Sequence, residues 1–299
     1  MTTPPYLQKG DRIALVSPAR KVSPAEVQTA ISIFKSWGLE VVLGENLFAS
    51  YNQFAGSDSQ RQADMQQMLD DRSIRAIVCS RGGYGTVRII DRLDFTKFLQ
   101  NPKWIVGYSD VTVLHSHIHR HYGVETLHAI MPVNFKDKCD GTPSLNSLKK
   151  ALYGKELIYR FPAEPFFRKG SCKGPLVGGN LSILYSLTNT ISDIDTNGKI
   201  LFLEDLDEYL YHIDRMMMNL RRSGKLDGLA GLIIGSMTKM HDNEVPYDKT
   251  AYEIIAEAVE GYPYPVCYNF PAGHIDDNRA LILGREVTLE IKEEVTLSF

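Results

Sequence analysis

Between residue 12 and about residue 130 the chain alternates short apolar runs with longer helical ones, and this alternation limits the possible folds more than any other feature. Strand-like runs at 13–17, 40–43, 76–79 and 105–107 are separated by helical periodicity at 24–37, 59–71, 86–93 and 110–121. Strands joined through helices cannot pair as hairpins, so they must lie parallel, with the helices packed on the faces of the sheet.

That pattern predicts a flavodoxin-like or glutamine-amidotransferase-like parallel sheet sandwich over residues 1–134. Residues 135–175 are rich in Lys, Pro, Gly and Asp, lack a long periodic segment and read as a connector. From 176 to 299, helical stretches at 181–188, 208–222 and 248–259 mix with short strands at 199–203, 230–235, 281–283 and 286–291, which predicts a smaller α+β domain. The fold class is therefore α/β. An active site is expected in the cleft between the two domains.

Within the first half, residues 104–112 (Trp-Ile-Val-Gly-Tyr-Ser-Asp-Val-Thr) read as a buried strand turning sharply into a helix, with Ser109 at the corner. Such an elbow exposes a serine hydroxyl, and Gly107 supplies the small residue it needs two positions earlier. The usual glycine two positions later is replaced by Val111. The alternative is that Ser109 or Asp110 only caps the following helix. A nucleophilic serine also needs a base and an orienting carboxylate. Glu204 and Asp205 end the apolar strand 199–205, and His274 sits in the turn Pro-Ala-Gly-His-Ile-Asp-Asp-Asn (271–278). The chain order is thus serine, acid, histidine, as in α/β-hydrolases, although the spacings differ from theirs.

Taken together, these segments resemble the LD-carboxypeptidase family, serine peptidases whose relatives include hydrolases of microcin C-type peptide nucleotides. The resemblance covers nearly the whole chain. It rests on Gly-Asp-Arg-Ile-Ala-Leu-Val-Ser-Pro-Ala (10–19), Ser-Arg-Gly-Gly-Tyr-Gly-Thr (80–86), Gly-Tyr-Ser-Asp-Val-Thr (107–112) and Gly-Gly-Asn-Leu (178–181). Leu-Phe-Leu-Glu-Asp (201–205), Ile-Asp-Arg (213–215) and Pro-Ala-Gly-His (271–274) complete it. It implies Ser109 as nucleophile, Glu204 as acid and His274 as general base. It also implies removal of the terminal D-alanine from a murein tetrapeptide in cytoplasmic cell-wall recycling, with hydrolysis of a peptide nucleotide as the alternative. A homodimer is expected.

An acyl-transfer site needs backbone N–H groups aimed at the developing oxyanion. The residue after the nucleophile, Asp110, is one candidate, and Gly83, in the Gly82-Gly83 turn, is the other. A carboxypeptidase must also read a free terminal carboxylate. A guanidinium does so through paired N–H groups, which makes Arg81 the candidate. Arg215, beside Asp214, reads as a structural ion pair. The Gly82–Gly85 loop has no following Lys-Ser/Thr and is not a P-loop.

His115, His117, His119 and His121 raise a competing possibility, because i, i+4 histidines can share a metal. The two pairs point to different helix faces, and no third ligand is evident. No metal and no cofactor are therefore expected. A non-catalytic nucleotide- or metal-binding module is the alternative from another class.

Composition agrees with a globular enzyme: of 299 residues 43% are hydrophobic and 23% charged. A net charge of −3 gives no general attraction for nucleic acid or an anionic membrane. The expected partner is instead a small peptide with a free terminal carboxylate. The first residues carry no apolar signal core, and no run is long enough to span a membrane, so a cytoplasmic location is expected. Cys79, Cys139, Cys172 and Cys267 form no Cys-x-x-Cys pair and read as reduced thiols.

Overall fold

The computed structural model describes residues 1–136, 140–164 and 166–299. The first half runs β1 (Arg12–Val16), α1 (Pro24–Ser36), β2 (Glu40–Leu43), α2 (Asp58–Asp70), β3 (Ile74–Cys79), α3 (Thr96–Gln100), β4 (Trp104–Gly107), α4 (Thr112–His121) and β5 (Thr126–His128). There follow α5 (Pro143–Leu152), β6 (Ile158–Pro162), β7 (Gly170–Asn180), α6 (Leu181–Leu187), β8 (Ile200–Leu206) and α7 (Leu210–Arg222). The chain ends with β9 (Gly231–Thr238), α8 (Ala251–Ala258), β10 (Val266–Cys267), β11 (Leu281–Leu283), β12 (Glu286–Ile291) and β13 (Glu294–Ser298).

These elements build a mixed α/β fold in two domains, each with its own sheet. The first sheet has the order β11-β5-β4-β3-β1-β2, and its members β1 to β5 are parallel. Its central strands are largely apolar because both faces are covered, as in residues 13–16, 76–79 and 104–106. Ile13, Leu15, Val78 and Trp104 pack with Val27 and Phe34 of α1, while Ala14, Val16, Ile77 and Ile105 pack with Met65 and Met68 of α2. Both helices start on capping boxes, at Ser23 with Glu26 and at Ser57 with Gln60.

The second sheet has the order β10-β9-β8-β7-β12-β13-β6. It is parallel from β7 to β10 and antiparallel from β7 through β12 and β13 to β6. The long β7 belongs to both parts: Gly170 to Pro175 pair with β12, and Leu176 to Asn180 pair with β8.

Three features depart from expectation. Residues 135–175, read as a connector, contain α5, β6 and the first part of β7. Helix α5 is capped by Thr142, begins on Pro143 and buries Leu145, Leu148 and Leu152; it is short, and its lysines mask the repeat. Residues 86–93 form two 3-10 turns instead of a helix, since they start at Gly85 (φ +148) with no side-chain cap. Strand β11 leaves the second half of the chain and pairs antiparallel with β5, so the first sheet is not built from residues 1–134 alone. Cys79, Cys172 and Cys267 are free thiols, and Cys139 lies outside the described residues. Among the described residues, no helix is long and apolar enough to cross a membrane.

The two sheets meet where β7 ends. Gly178 and Gly179 have φ of +129° and +141°, and a Cβ at Gly179 would lie 2.5 Å from Thr112 Oγ1. The Asn180 N–H donates to that same oxygen at 3.1 Å. At Gly178 a Cβ would lie 1.9 Å from the Phe202 carbonyl oxygen, which is backbone and cannot swing aside. Gly178→Ala should therefore destabilise the protein by roughly 2–5 kcal/mol through strain and overpacking. Urea unfolding checks this, and a midpoint equal to that of the parent would show that β7 can yield.

Candidate active site

At the end of β4 the chain passes Gly107 and Tyr108 and enters a 3-10 turn, Ser109–Val111, that leads into α4. Ser109 has φ +63°, a left-handed conformation that costs a non-glycine residue about 1–3 kcal/mol. Gly107 makes the tight turn possible, because a Cβ there would lie 2.8 Å from Val111 Cγ2. The valine that replaces the usual second glycine is thus accommodated by the first. Neither Ser109 nor Asp110 caps the helix: the turn and α4 both begin without a side-chain cap. The buried Asp110 side chain instead accepts from the Thr86 N–H at 2.9 Å, which ties the elbow to the loop 82–86.

His274 Nδ1 lies 2.7 Å from Glu204 Oε2. The Glu204 side chain is fully buried and that of His274 is 13% exposed. Burial alone would disfavour the charged ring, but the Glu204 charge and its hydrogen bond outweigh it and hold the His274 pKa above its ordinary value. Three local features support this pair. The β8–β9 register shifts between Leu203 and Asp205, placing an irregularity opposite Glu204. Gly273 has φ +116°, and a Cβ there would lie 2.8 Å from Glu204 Oε2. Its N–H donates to Asn278 Oδ1 at 2.9 Å, and Thr238 Oγ1 donates to the His274 carbonyl oxygen at 3.4 Å. The ring packs against Tyr108, with centroids 4.7 Å apart.

Asp205, the other carboxylate at the end of β8, has a different role. It accepts from Asn180 Nδ2 at 2.9 Å and from the Ser182 N–H at 2.8 Å, at the start of α6. Burial and the adjacent Glu204 push its pKa up to about 7.

A cavity of about 490 Å³ is lined by Ser109, His274, Asn180 and Asp205, by Arg20, Arg81 and the turn Gly82-Gly83, and by Asp207 and Glu208. These residues follow the carboxyl ends of parallel strands in both sheets, where open α/β sheets bind ligands. Gly82 is the residue against the serine: a Cβ there would lie 3.0 Å from Ser109 Oγ and 3.4 Å from the Asp110 nitrogen. Gly83 is next along the turn. Arg81 reaches the cavity, but its guanidinium pairs with Glu26 at 3.1 Å. Among the described residues, Ser109 Oγ makes no hydrogen bond; such contacts commonly tighten only when substrate is bound.

The histidine helix is used for packing. His115 Nε2 donates to the Gly107 carbonyl at 2.9 Å, His117 Nδ1 lies 2.8 Å from Ser192 Oγ, His119 Nε2 lies 3.1 Å from Thr126 Oγ1, and His121 Nε2 donates to the Ile191 carbonyl at 2.7 Å. Burial lowers His115 and His117 to about 4 and His119 to about 3. Among the described residues, no cluster of three or more potential ligands has metal-binding geometry. Arg215 stacks over the Tyr211 ring, at 5.1 Å from its centroid, and makes no ion pair with Asp214.

Sequence reasoning did not single out Asn180, Tyr108 or Arg20. Asn180 carried a signal, an asparagine directly before the apolar run of α6. Arg20 carried only its place after a strand end. Glu204→Gln keeps the shape of the pair and removes its charge, so the His274 pKa should fall by about 1–3 units. NMR titration of the imidazole resonances measures this, and an unchanged value would show that the carboxylate does not hold the proton.

Comparison with known proteins identifies the family of the chain. Residues 13–129 match the LD-carboxypeptidase N-terminal domain and residues 173–289 the LD-carboxypeptidase C-terminal domain. A probable murein peptide carboxypeptidase of Bacillus subtilis is 34% identical over 98% of this chain and 93% of its own length. The murein tetrapeptide carboxypeptidase of Pseudomonas aeruginosa is 29% identical, covering 93% of each chain. Among solved structures, the muramoyltetrapeptide carboxypeptidase of Oxalobacter formigenes superposes with a TM-score of 0.86 at 26% identity, over 96% of this chain and 98% of that one. MccF in complex with glutamyl sulfamoyl guanosine shares the fold, with a TM-score of 0.88 at 20% identity over 99% and 98% of the two chains. On these grounds the chain belongs to the LD-carboxypeptidase family and is a hydrolytic enzyme of the carboxypeptidase type.

Proposed function

We propose that the protein removes the terminal D-alanine of a murein tetrapeptide through a Ser109–His274–Glu204 triad, as a cytoplasmic step of cell-wall recycling. The reading rests on one juxtaposition: a serine on a strained elbow lines the same cavity as a histidine bound to a buried carboxylate. His274 takes the Ser109 proton as Oγ attacks the carbonyl carbon, and Glu204 stabilises the imidazolium. The Asp110 and Gly83 N–H groups receive the oxyanion. The imidazolium then protonates the leaving D-amino acid as the C–N bond breaks, leaving an acyl-serine. Water, deprotonated by the same ring, releases the shortened peptide and restores the serine.

Murein peptides are favoured over peptide nucleotides because relatives named for them match at 29–34% identity along almost the whole chain, whereas the likeness to MccF is one of fold. Mass spectrometry of incubations with a murein tetrapeptide and with an aminoacyl-adenylate analogue separates the two. Loss of one D-alanine from the first and no cleavage of the second is the expected result. Cleavage of only the adenylate would reverse the assignment.

Ser109→Ala and His274→Ala should each lower kcat/KM for the tetrapeptide by roughly 10³–10⁶-fold, because triad members act as a unit. Circular dichroism should show both variants folded, and near-normal turnover in either would remove it from the mechanism. The pH profile provides a separate check. His274 must be neutral to accept a proton, and its pKa is raised above 6.5, so kcat/KM should fall as pH drops through a value above 6.5. In Glu204→Gln that acid limb should move to lower pH while the plateau falls; a limb that stays in place would mean another group controls it.

A further inference from the structure

We propose that Arg20, on the loop after β1, is the residue that reads the terminal carboxylate of the substrate, while Arg81 serves the neighbouring ion pair. The proposal rests on the carboxypeptidase reading above and deepens it, by naming the group that makes the enzyme act at a free chain end.

Position is the first argument. The carboxylate of the leaving residue lies one residue past the scissile carbonyl, about 3.8 Å from Cα to Cα. Its reader must therefore stand beside the turn that receives the oxyanion. The Arg20 N–H donates to the Gly82 carbonyl at 3.4 Å. A Cβ at Gly83 would lie 2.2 Å from Arg20 Cδ, 2.5 Å from Cγ and 3.4 Å from Cβ. The aliphatic stem of Arg20 thus lies flat on Gly83, and Gly83 follows the glycine that abuts Ser109. A glycine at 83 is needed because any side chain would displace that stem.

Charge is the second argument. Among the described residues, the Arg20 guanidinium has no hydrogen bond and no ion pair, and it lines the cavity. The Arg81 charge is already met by Glu26 Oε1. The other oxygen of Glu26 accepts from the Ser23 N–H at 2.8 Å and from Ser23 Oγ at 2.9 Å, so that carboxylate is fixed in the capping box of α1. Elsewhere the charged lining is acidic, with Asp205, Asp207 and Glu208 on the opposite domain. Asp207 lies 2.7 Å from His241 Nε2, and Glu208 lies 2.6 Å from His212 Nδ1. An anionic terminus is repelled from that wall, and the open guanidinium of Arg20 is its complement.

The test compares a murein tetrapeptide with its terminal amide in the parent enzyme, Arg20→Met, Arg20→Lys and Arg81→Met. Methionine preserves most of the stem on Gly83 and removes the charge. Arg20→Met should lower kcat/KM for the acid by roughly 30- to 1,000-fold and for the amide by less than about 3-fold, so the preference for the acid collapses. Arg20→Lys should recover part of that preference, and Arg81→Met should retain the parental ratio of acid to amide. A merely structural role for Arg20 would depress both peptides alike. If Arg20→Met keeps the parental ratio, or if Arg81→Met is the variant that loses it, Arg20 is not the reader and the carboxypeptidase reading stands. If the parent enzyme already cuts acid and amide equally well, both the proposal and the exopeptidase reading fall.

Discussion

The close approach of β7 to α4 is the contact on which the rest of the site depends. Ser109 is carried by the first sheet, and Glu204 and His274 by strands and loops of the second. Their separation is set by how nearly Thr112 can sit to the end of β7, and a single Cβ at Gly179 would fill that space. The Asn180 N–H then fixes the approach by bonding Thr112 Oγ1. Asn180 has further ties: its Oδ1 caps α6 and its Nδ2 binds Asp205. One residue therefore ties β7 to α4, caps a helix and donates a hydrogen bond to a buried carboxylate.

The neighbours Glu204 and Asp205 show how a strand separates like charges. Successive side chains point to opposite faces, so Glu204 reaches the loop of His274 while Asp205 reaches the start of α6. Both are buried, and the mutual repulsion of two adjacent carboxylates appears in the upward shift of Asp205. Glu204 is compensated by the imidazole, whose basicity it raises. Two positions that look equivalent in sequence are thus divided between pairing with an imidazole and anchoring the start of a helix.

Much of the first sheet was legible because its strands are apolar runs separated by helical segments, two of which, α1 and α2, start on capping boxes, and such runs have few alternative placements. The serine elbow was legible from Gly107 and the strand-to-helix change, and His274 from its glycine-containing turn. Strand β7 was not, because Gly170, Lys173 and Gly174 have weak strand preference and are held extended by pairing with β12, a partner more than a hundred residues away in the chain. The excursion of β11 into the first sheet was equally hidden, since a three-residue strand carries no mark of its partner. The histidines of α4 suggested ligands; packing gave each a partner on a neighbouring segment.

The sequence by itself determined the class of fold, the residue types at the corner, the strand end and the turn, and their order along the chain, because local periodicity and turn chemistry act over a few residues. Only the tertiary structure decided that Glu204 and not Asp205 meets His274, that Gly82 abuts Ser109, and that Arg81 pairs with Glu26 while Arg20 stays open to the cavity. Those choices depend on which faces of distant strands are pressed together, and burial and pairing between segments far apart in the chain leave no local trace in either segment.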